Sequence, residues 1–311
     1  MGSVICTLFE GDYHFGVGAL ANSLYAHGFR GTIYAGYRGS LPPWVIHARK
    51  FDGFIEFCPA EQLALRFIQL ETQMHLTNYK PNFMLALWEK YCQEANALFY
   101  FDPDIVIKCR WTFFEEWVHA GVALCADINP SMPPNHPIRY AWKKFATRKG
   151  MPIKREVNTY YNGGFVGCLS ESKQFVCDWK RILEMIADEL GGLKTMHVGD
   201  GTSLFHTTEQ DALNLTCMVT PCELSPVGQD GMDFQQGGGG YIMAHAVGSA
   251  KPWNKAFLRM LLLRGSRPSR ADKDYFKHVK VPIQLYATAD LGLRTLKLNL
   301  AGALGRFIRA A

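Results

Sequence analysis

Asp102 and Asp104 stand two residues apart, directly after the hydrophobic run Ala97-Leu-Phe-Tyr-Phe101. Two carboxylates at the mouth of a buried strand offer hard oxygen ligands to a divalent cation, which can share them with a substrate's phosphates. Asp-Pro-Asp is also good turn chemistry, and that plainer reading stands beside the first. His245 opens a second segment, His-x-x-Gly248-x-x-Lys251-Pro252-Trp253. A neutral imidazole can complete a metal site. Gly248 lets backbone approach a phosphate closely, and Lys251 supplies a point charge for one. The alternative is an exposed loop with an ordinary histidine. In Thr208-Glu209-Gln210-Asp211-Ala212-Leu213-Asn214 the acids open a helix, where the macrodipole favours them whatever their role. In Tyr161-Asn162-Gly163-Gly164-Phe165, paired glycines allow a ligand close to a strand and Asn162 can bond to hydroxyls; a β-bulge or hairpin is the plain alternative. Glu10-Gly11-Asp12-Tyr13 follows the first strand, where an α/β sheet binds nucleotides, and Tyr13 could stack on a base.

The elements that must position these residues alternate in type. Val4–Phe9, Thr32–Tyr37 and Phe54–Phe57 read as strands, as do Ala97–Phe101, Gly121–Ala126, Tyr160–Leu169 and Tyr241–Ala246. Helical spacing marks Gly16–His27, which stops at Gly28, and Asn82–Cys92, led by Pro81. It also marks Trp111–His119, Ser172–Glu189 and Glu209–Leu215, the last capped by Thr207 or Thr208. Asn129–Pro137, with four prolines, reads as loop and Ala141–Lys154 as a basic surface segment. Gly191–Thr207 reads as turns, and Gln235-Gln-Gly-Gly-Gly-Gly240 is a biased patch. This rhythm predicts an α/β fold: a Rossmann-like mixed sheet flanked by helices, with ligands at the carboxyl ends of its strands.

The 311 residues carry a net charge of +5, unevenly spread. From Lys251 to Ala311 there are 13 basic and 3 acidic side chains; the rest of the chain holds 20 basic and 25 acidic. An acidic body argues against a nucleic-acid partner. No apolar stretch approaches the roughly 18–20 residues that span a bilayer, and no signal peptide is read at the start. The nine cysteines are scattered without a CxxC pair, which predicts free thiols and a reducing, cytoplasmic setting.

In this order, the chemical segments resemble glycosyltransferase family 8. Its Asp-x-Asp, Asn-Ser/Ala-Gly, Asp-Gln-Asp-x-Leu-Asn and His-x-x-Gly-x-x-Lys-Pro-Trp motifs appear here as Asp102-Pro-Asp104, Asn162-Gly-Gly164, Glu209 through Asn214 and His245 through Trp253. The match runs from Val4 to Asn254, about four-fifths of the chain. The resemblance implies a GT-A fold over residues 1–255, with 256–311 as a basic helical extension. It implies Mn²⁺ or Mg²⁺ held by Asp102, Asp104 and His245. It implies a nucleotide diphosphate sugar, with UDP as the expected nucleotide. Gly248 and Lys251 would meet its diphosphate, and Thr7, Leu8, Phe9, Asp12 and Tyr13 its base. Lys80, Asp102, Asn162, Gly163, Gly164 and Asp211 would contact the rest of the donor. Glu209, Gln210 and Lys251 would face the reaction, a retaining transfer of a hexose to a saccharide or glycolipid. This chain departs from the family in carrying Glu209 where Asp is usual, and in placing Asp12 directly beside Tyr13.

Other functions remain in view. A sugar-1-phosphate nucleotidyltransferase would carry Gly-x-Gly-Thr-Arg after its first strand, but Gly16-Val-Gly18-Ala-Leu lacks the Thr-Arg. An inactive nucleotide-sugar-binding module is the second alternative.

The tail reads separately. Over Asp290–Arg309, Leu293, Leu296, Leu300, Leu304 and Phe307 fall within an arc of roughly 80°. Arg294, Arg306 and Arg309 lie opposite. This pattern predicts an amphipathic helix resting on an anionic membrane surface through residues 290–309. The competing reading docks the leucines on the catalytic domain. Ahead of it, Phe257–Leu263 reads as a short apolar helix flanked by basic residues.

Overall fold

The computed structural model describes residues 2–129, 132–200, 202–234 and 239–308. Most of the glycine-rich patch at 235–240, and Arg309, lie outside the described residues. In chain order the strands are β1 (Ser3–Glu10), β2 (Gly31–Arg38), β3 (Arg49–Phe51), β4 (Phe54–Ala60), β5 (Leu63–Gln69), β6 (Ala97–Phe101), β7 (Ile105–Ile107), β8 (Val122–Ala126), β9 (Tyr161–Leu169), β10 (Leu224–Val227), β11 (Met232–Asp233) and β12 (Met243–His245). The helices are α1 (His14–Ala26), α2 (Lys80–Ala86), α3 (Trp111–Trp117), α4 (Pro137–Arg148), α5 (Lys173–Leu190), α6 (Thr208–Val219), α7 (Phe257–Arg264), α8 (Arg270–Lys277) and α9 (Thr288–Leu304).

Nine strands form one mixed sheet in the order β10-β8-β9-β6-β1-β2-β5-β4-β3. The centre, β6-β1-β2-β5, is parallel, while β9 runs against both β6 and β8. That reversal brings the start of β9 to the carboxyl ends of β1, β6 and β8. A small sheet, β11-β12-β7, sets His245 opposite Ile105.

The alternation along β1 builds two cores. Ile5 and Phe9 point to the face covered by α1, and Cys6 and Leu8 to the face covered by α5 and α6. Burying large apolar side chains on both faces, at about 1.5–3 kcal/mol each, is the main stabilising term. α1 sits close against the turn after β6: a Cβ on Gly16 would lie 2.1 Å from the Pro103 carbonyl oxygen. Gly18 faces Leu285 in the same way. These glycines serve helix packing, a role separate from any phosphate loop.

Several expectations are corrected. The segment at 141–154 is more than surface: α4 spans Pro137–Arg148 and buries Arg139, Trp142, Phe145 and Ala146. Its basic residues hid a stripe at helical spacing. α2 passes into one turn of π-helix at Leu87–Tyr91. β5 escaped the sequence reading because Arg66 interrupts its outward face, where it pairs with Glu56 at 2.8 Å. The α6 N-terminus has no hydroxyl cap; Asp211 Oδ2 accepts the Thr207 N–H instead, at 2.9 Å.

The tail packs in two ways. Ala271, Tyr275, Val279, Ile283, Leu285, Tyr286 and Leu291 join the core around α1. α9 then docks on α7 through Leu298 and Ala301, against Phe257 and Leu261. The inward side also carries Arg294, which donates to the Trp253 carbonyl at 2.9 Å. Leu293, Leu296, Leu300, Leu304 and Phe307 remain 41–86% exposed. Among the described residues no helix is long and apolar enough to cross a membrane.

Candidate active site

β6 ends at Phe101, so Asp102 and Asp104 emerge together at the sheet's mouth. His245 arrives from β12. One ligand atom from each of the three lies within 4.8 Å of the others. His245 Nε2 is 3.2 Å from Asp104 and 3.9 Å from Asp102. Its Nδ1 is buried without a hydrogen-bond partner. Two carboxylates and an imidazole form a donor set that suits a divalent cation.

Cations already brace these acids. Lys80 is buried at the start of α2 and lies 3.1 Å from Asp102 and 3.2 Å from Glu209, while donating to the Gly163 carbonyl at 2.8 Å. It is therefore a strut inside the site. Lys251 donates to Asp104 and to the Ala246 carbonyl. Burial works against the charge on Asp104, but His245 and Lys251 prevail and hold its carboxyl well below the usual range. Burial pushes Glu209 up to about 8, although Lys80 opposes it. Asp211 is raised to about 6 by burial, against the Tyr160 hydroxyl that donates to it at 2.6 Å.

The glycines of β9 make room. A Cβ on Gly164 would stand 2.6 Å from His245, 2.8 Å from Asn162 Oδ1 and 3.0 Å from Asp102. One on Gly163 would stand 2.4 Å from the Glu209 carboxylate. α6 is tied to the same strand: Asn214 accepts from the Tyr161 N–H and donates to the Tyr161 carbonyl, both at 2.8 Å. That paired bond carries Glu209 and Gln210 to the sheet's mouth. Gln210 accepts from the Gly163 N–H at 2.9 Å.

The expected base-binding residues divide. Leu8 and Phe9 are buried in the cores, so only their backbone can meet a ligand. Thr7 is buried too, with its hydroxyl unpartnered. Asp12 is exposed and accepts from Asn254. Tyr13 packs edge-on against Trp253, with ring centroids 5.4 Å apart, and Lys251 Nζ lies 5.5 Å from its ring centre. The first βα loop thus meets the His-to-Trp segment. Gly248, at φ +94°, lies in the exposed loop of that segment.

Asp127 is the residue the sequence did not disclose. It follows β8, is 4% exposed, and accepts from Asn162 at 2.6 Å and Gln210 at 3.3 Å. Its one signal is an acid directly after a buried strand, like Asp102.

No family model matches the chain, and no curated protein matches it in sequence. Solved structures do match its fold. The apo structure of the bifunctional glycosyltransferase WbbM superposes with a TM-score of 0.55 at 12% identity, covering 94% of this chain and 51% of WbbM. This chain therefore spans about half of WbbM's length. The galactosyltransferase LgtC, solved with donor and acceptor sugar analogues, gives 0.50 at 12% identity, covering 93% of this chain and 99% of LgtC. The fold is that of the GT-A glycosyltransferases.

Proposed function

We infer that this protein is a metal-dependent glycosyltransferase that moves a hexose from a nucleotide diphosphate sugar, UDP-glucose or UDP-galactose, to a hydroxyl of a saccharide or glycolipid. The observation that carries this reading is the convergence of Asp102, Asp104 and His245 at the mouth of a GT-A sheet. These three would hold Mn²⁺ or Mg²⁺, which supplies charge neutralisation on a leaving diphosphate. Lys251 adds fixed positive charge beside the same place, the kind of electrostatic preorganisation that often dominates catalysis. Lys80 holds Asp102 and Glu209 in position. Asn162, Gly163, Gly164, Asp211 and Gln210 form the donor-sugar wall, and Asp12 with Tyr13 the base end.

The transfer retains anomeric configuration by front-face attack. The acceptor oxygen bonds to the anomeric carbon as the bond to the diphosphate breaks, and the acceptor proton passes to the departing phosphate oxygen. Gln210 is a poor nucleophile, and Glu209 is buried with its Oε2 bound by Lys80. Proton NMR of the first-formed product tests this; an inverted anomeric centre overturns it. Asp104→Ala is expected to abolish Mn²⁺-dependent UDP release from UDP-sugars, read in a coupled assay. Full wild-type activity in chelator would remove the metal from the scheme.

Attachment to an anionic membrane surface through residues 290–309, on the cytoplasmic face, belongs to the same proposal. The exposed leucine row of α9 supports it.

A further inference from the structure

Beside the active site, a pocket of about 340 Å³ opens between α7 and α9. Lys255, Arg259, Arg294, Lys297 and one acid, Asp290, surround it, with Phe257 and Leu293 among its apolar walls. Lys255 is paired with Asp272 at 2.7 Å and Arg294 with Asp290 at 2.8 Å. Arg259 and Lys297 are exposed and form no ion pair or hydrogen bond among the described residues. The pocket therefore presents two uncompensated cations above an apolar floor.

We propose that this pocket receives the phosphate of an anionic phospholipid headgroup, and that it docks the active site against the bilayer. A free anion would need only the cations. The apolar surface continues outward: Leu293 lines the pocket, and Leu296, Leu300 and Leu304 follow it along α9. On a helical projection Lys297 lies only about 20–40° beyond that row. A headgroup seated between Arg259 and Lys297 leaves its acyl chains on the leucines, the arrangement of an interfacial helix. Lys255 lies four residues after Lys251, and Arg294 bonds the Trp253 carbonyl, so the docked surface adjoins the catalytic mouth. The inference rests on the membrane attachment proposed above.

The test is flotation of the full chain with phosphatidylcholine vesicles, with and without phosphatidylglycerol. Wild type is expected to float only with the anionic lipid. Arg259→Glu with Lys297→Glu should weaken binding roughly tenfold or more, since each basic group at such a surface contributes on the order of a kcal/mol. Lys50→Glu with Arg181→Glu makes the same net-charge change elsewhere and should retain most of the binding. Leu296→Ser with Leu300→Ser should also lose it. Equal loss in both charge pairs would show diffuse attraction and overturn the pocket alone. Failure of wild type to prefer anionic vesicles would overturn the attachment itself. Displacement by inorganic phosphate at vesicle-matched concentration, against a chloride control, would assign the pocket to free phosphate. A change of oligomeric state in the leucine variant would make the row a contact between copies; either result overturns the lipid. UDP release from a soluble UDP-sugar by the Arg259/Lys297 variant should equal wild type. Its absence in both proteins would sink the transferase reading while leaving the vesicle result standing.

Discussion

Gly164 is hemmed in by His245, Asn162 and Asp102, all within 3.0 Å of where a methyl group would sit. Gly164→Ala must therefore push aside His245 or Asp102, two of the proposed metal ligands. The expected outcome is a large rise in the Mn²⁺ needed for half-maximal UDP release, with circular dichroism unchanged; an unaltered Mn²⁺ requirement would contradict the assigned ligand set. Asp127 acts one layer back, through Asn162 and Gln210. Asp127→Ala leaves the side-chain amides of Asn162, Gln210 and Asn129 without this acceptor, and kcat for transfer should fall on the order of a hundredfold, as for loss of an oriented polar group at a reacting centre. If steady-state kinetics put the loss in KM alone, Asp127 only aids donor binding. Asp102, Asp104 and His245 were legible from their types and spacing, and Glu209 only through the family resemblance, since acids at a helix start are ordinary. Asp127 was not, because its local partner, Asn129, reads as ordinary turn chemistry, and the two that tie it to the site, Asn162 and Gln210, lie 35 and 83 residues away.

At the scale of elements, the same division holds. β1, β6 and β9 were readable as apolar runs ending in polar residues, and α5 as an amphipathic helix. The order of strands was not readable, since β9 enters between β8 and β6 only through pairing across the sheet. α9 was half legible. Its leucine row was visible, but its docking side, Leu298 and Ala301, depends on α7 and leaves no separate periodic mark. Asn22 shows how strongly distant elements are tied. This buried side chain in α1 donates to the carbonyls of His278 and Ile283 and accepts the Ile283 N–H, each at 2.8 Å. Asn22→Ala strands three backbone groups, the two of Ile283 buried and that of His278 partly so, and at about 1–3 kcal/mol for each unsatisfied buried group the loss should reach several kcal/mol. Urea unfolding would detect it as a lower midpoint at unchanged slope; a shift below about 1 kcal/mol would mean the clamp is redundant.

Over the whole molecule, the acid limb of stability should carry the signature of His278, the histidine lowered furthest; burial also lowers His14 and His75. His278 is lowered to about 4, chiefly by burial and then by His27, whose ring centroid is 5.7 Å away. A histidine whose folded pKa lies below the unfolded 6.5 is stabilised neutral. Its contribution is whole above pH 6.5 and is lost as pH falls from 6.5 toward 4. The amount is on the order of 3 kcal/mol. His278→Gln should therefore flatten the decline in Tm between pH 6.5 and 4; a parallel decline in both proteins would place the acid sensitivity elsewhere.

The clamp between Asn22 and Ile283 also sets an order of events during synthesis. Domains begin to fold as they emerge, at roughly 5–20 residues per second. The face of α1 that takes Leu285 and Tyr286 is made early, but its cover lies 261 residues later. For some 13–50 seconds at that rate, the nascent chain carries an open apolar seam on one side of its sheet. A ribosome that stalls between residues 245 and 283 releases a product with its sheet strands complete and that seam uncovered, a natural client for chaperones and for proteolytic quality control.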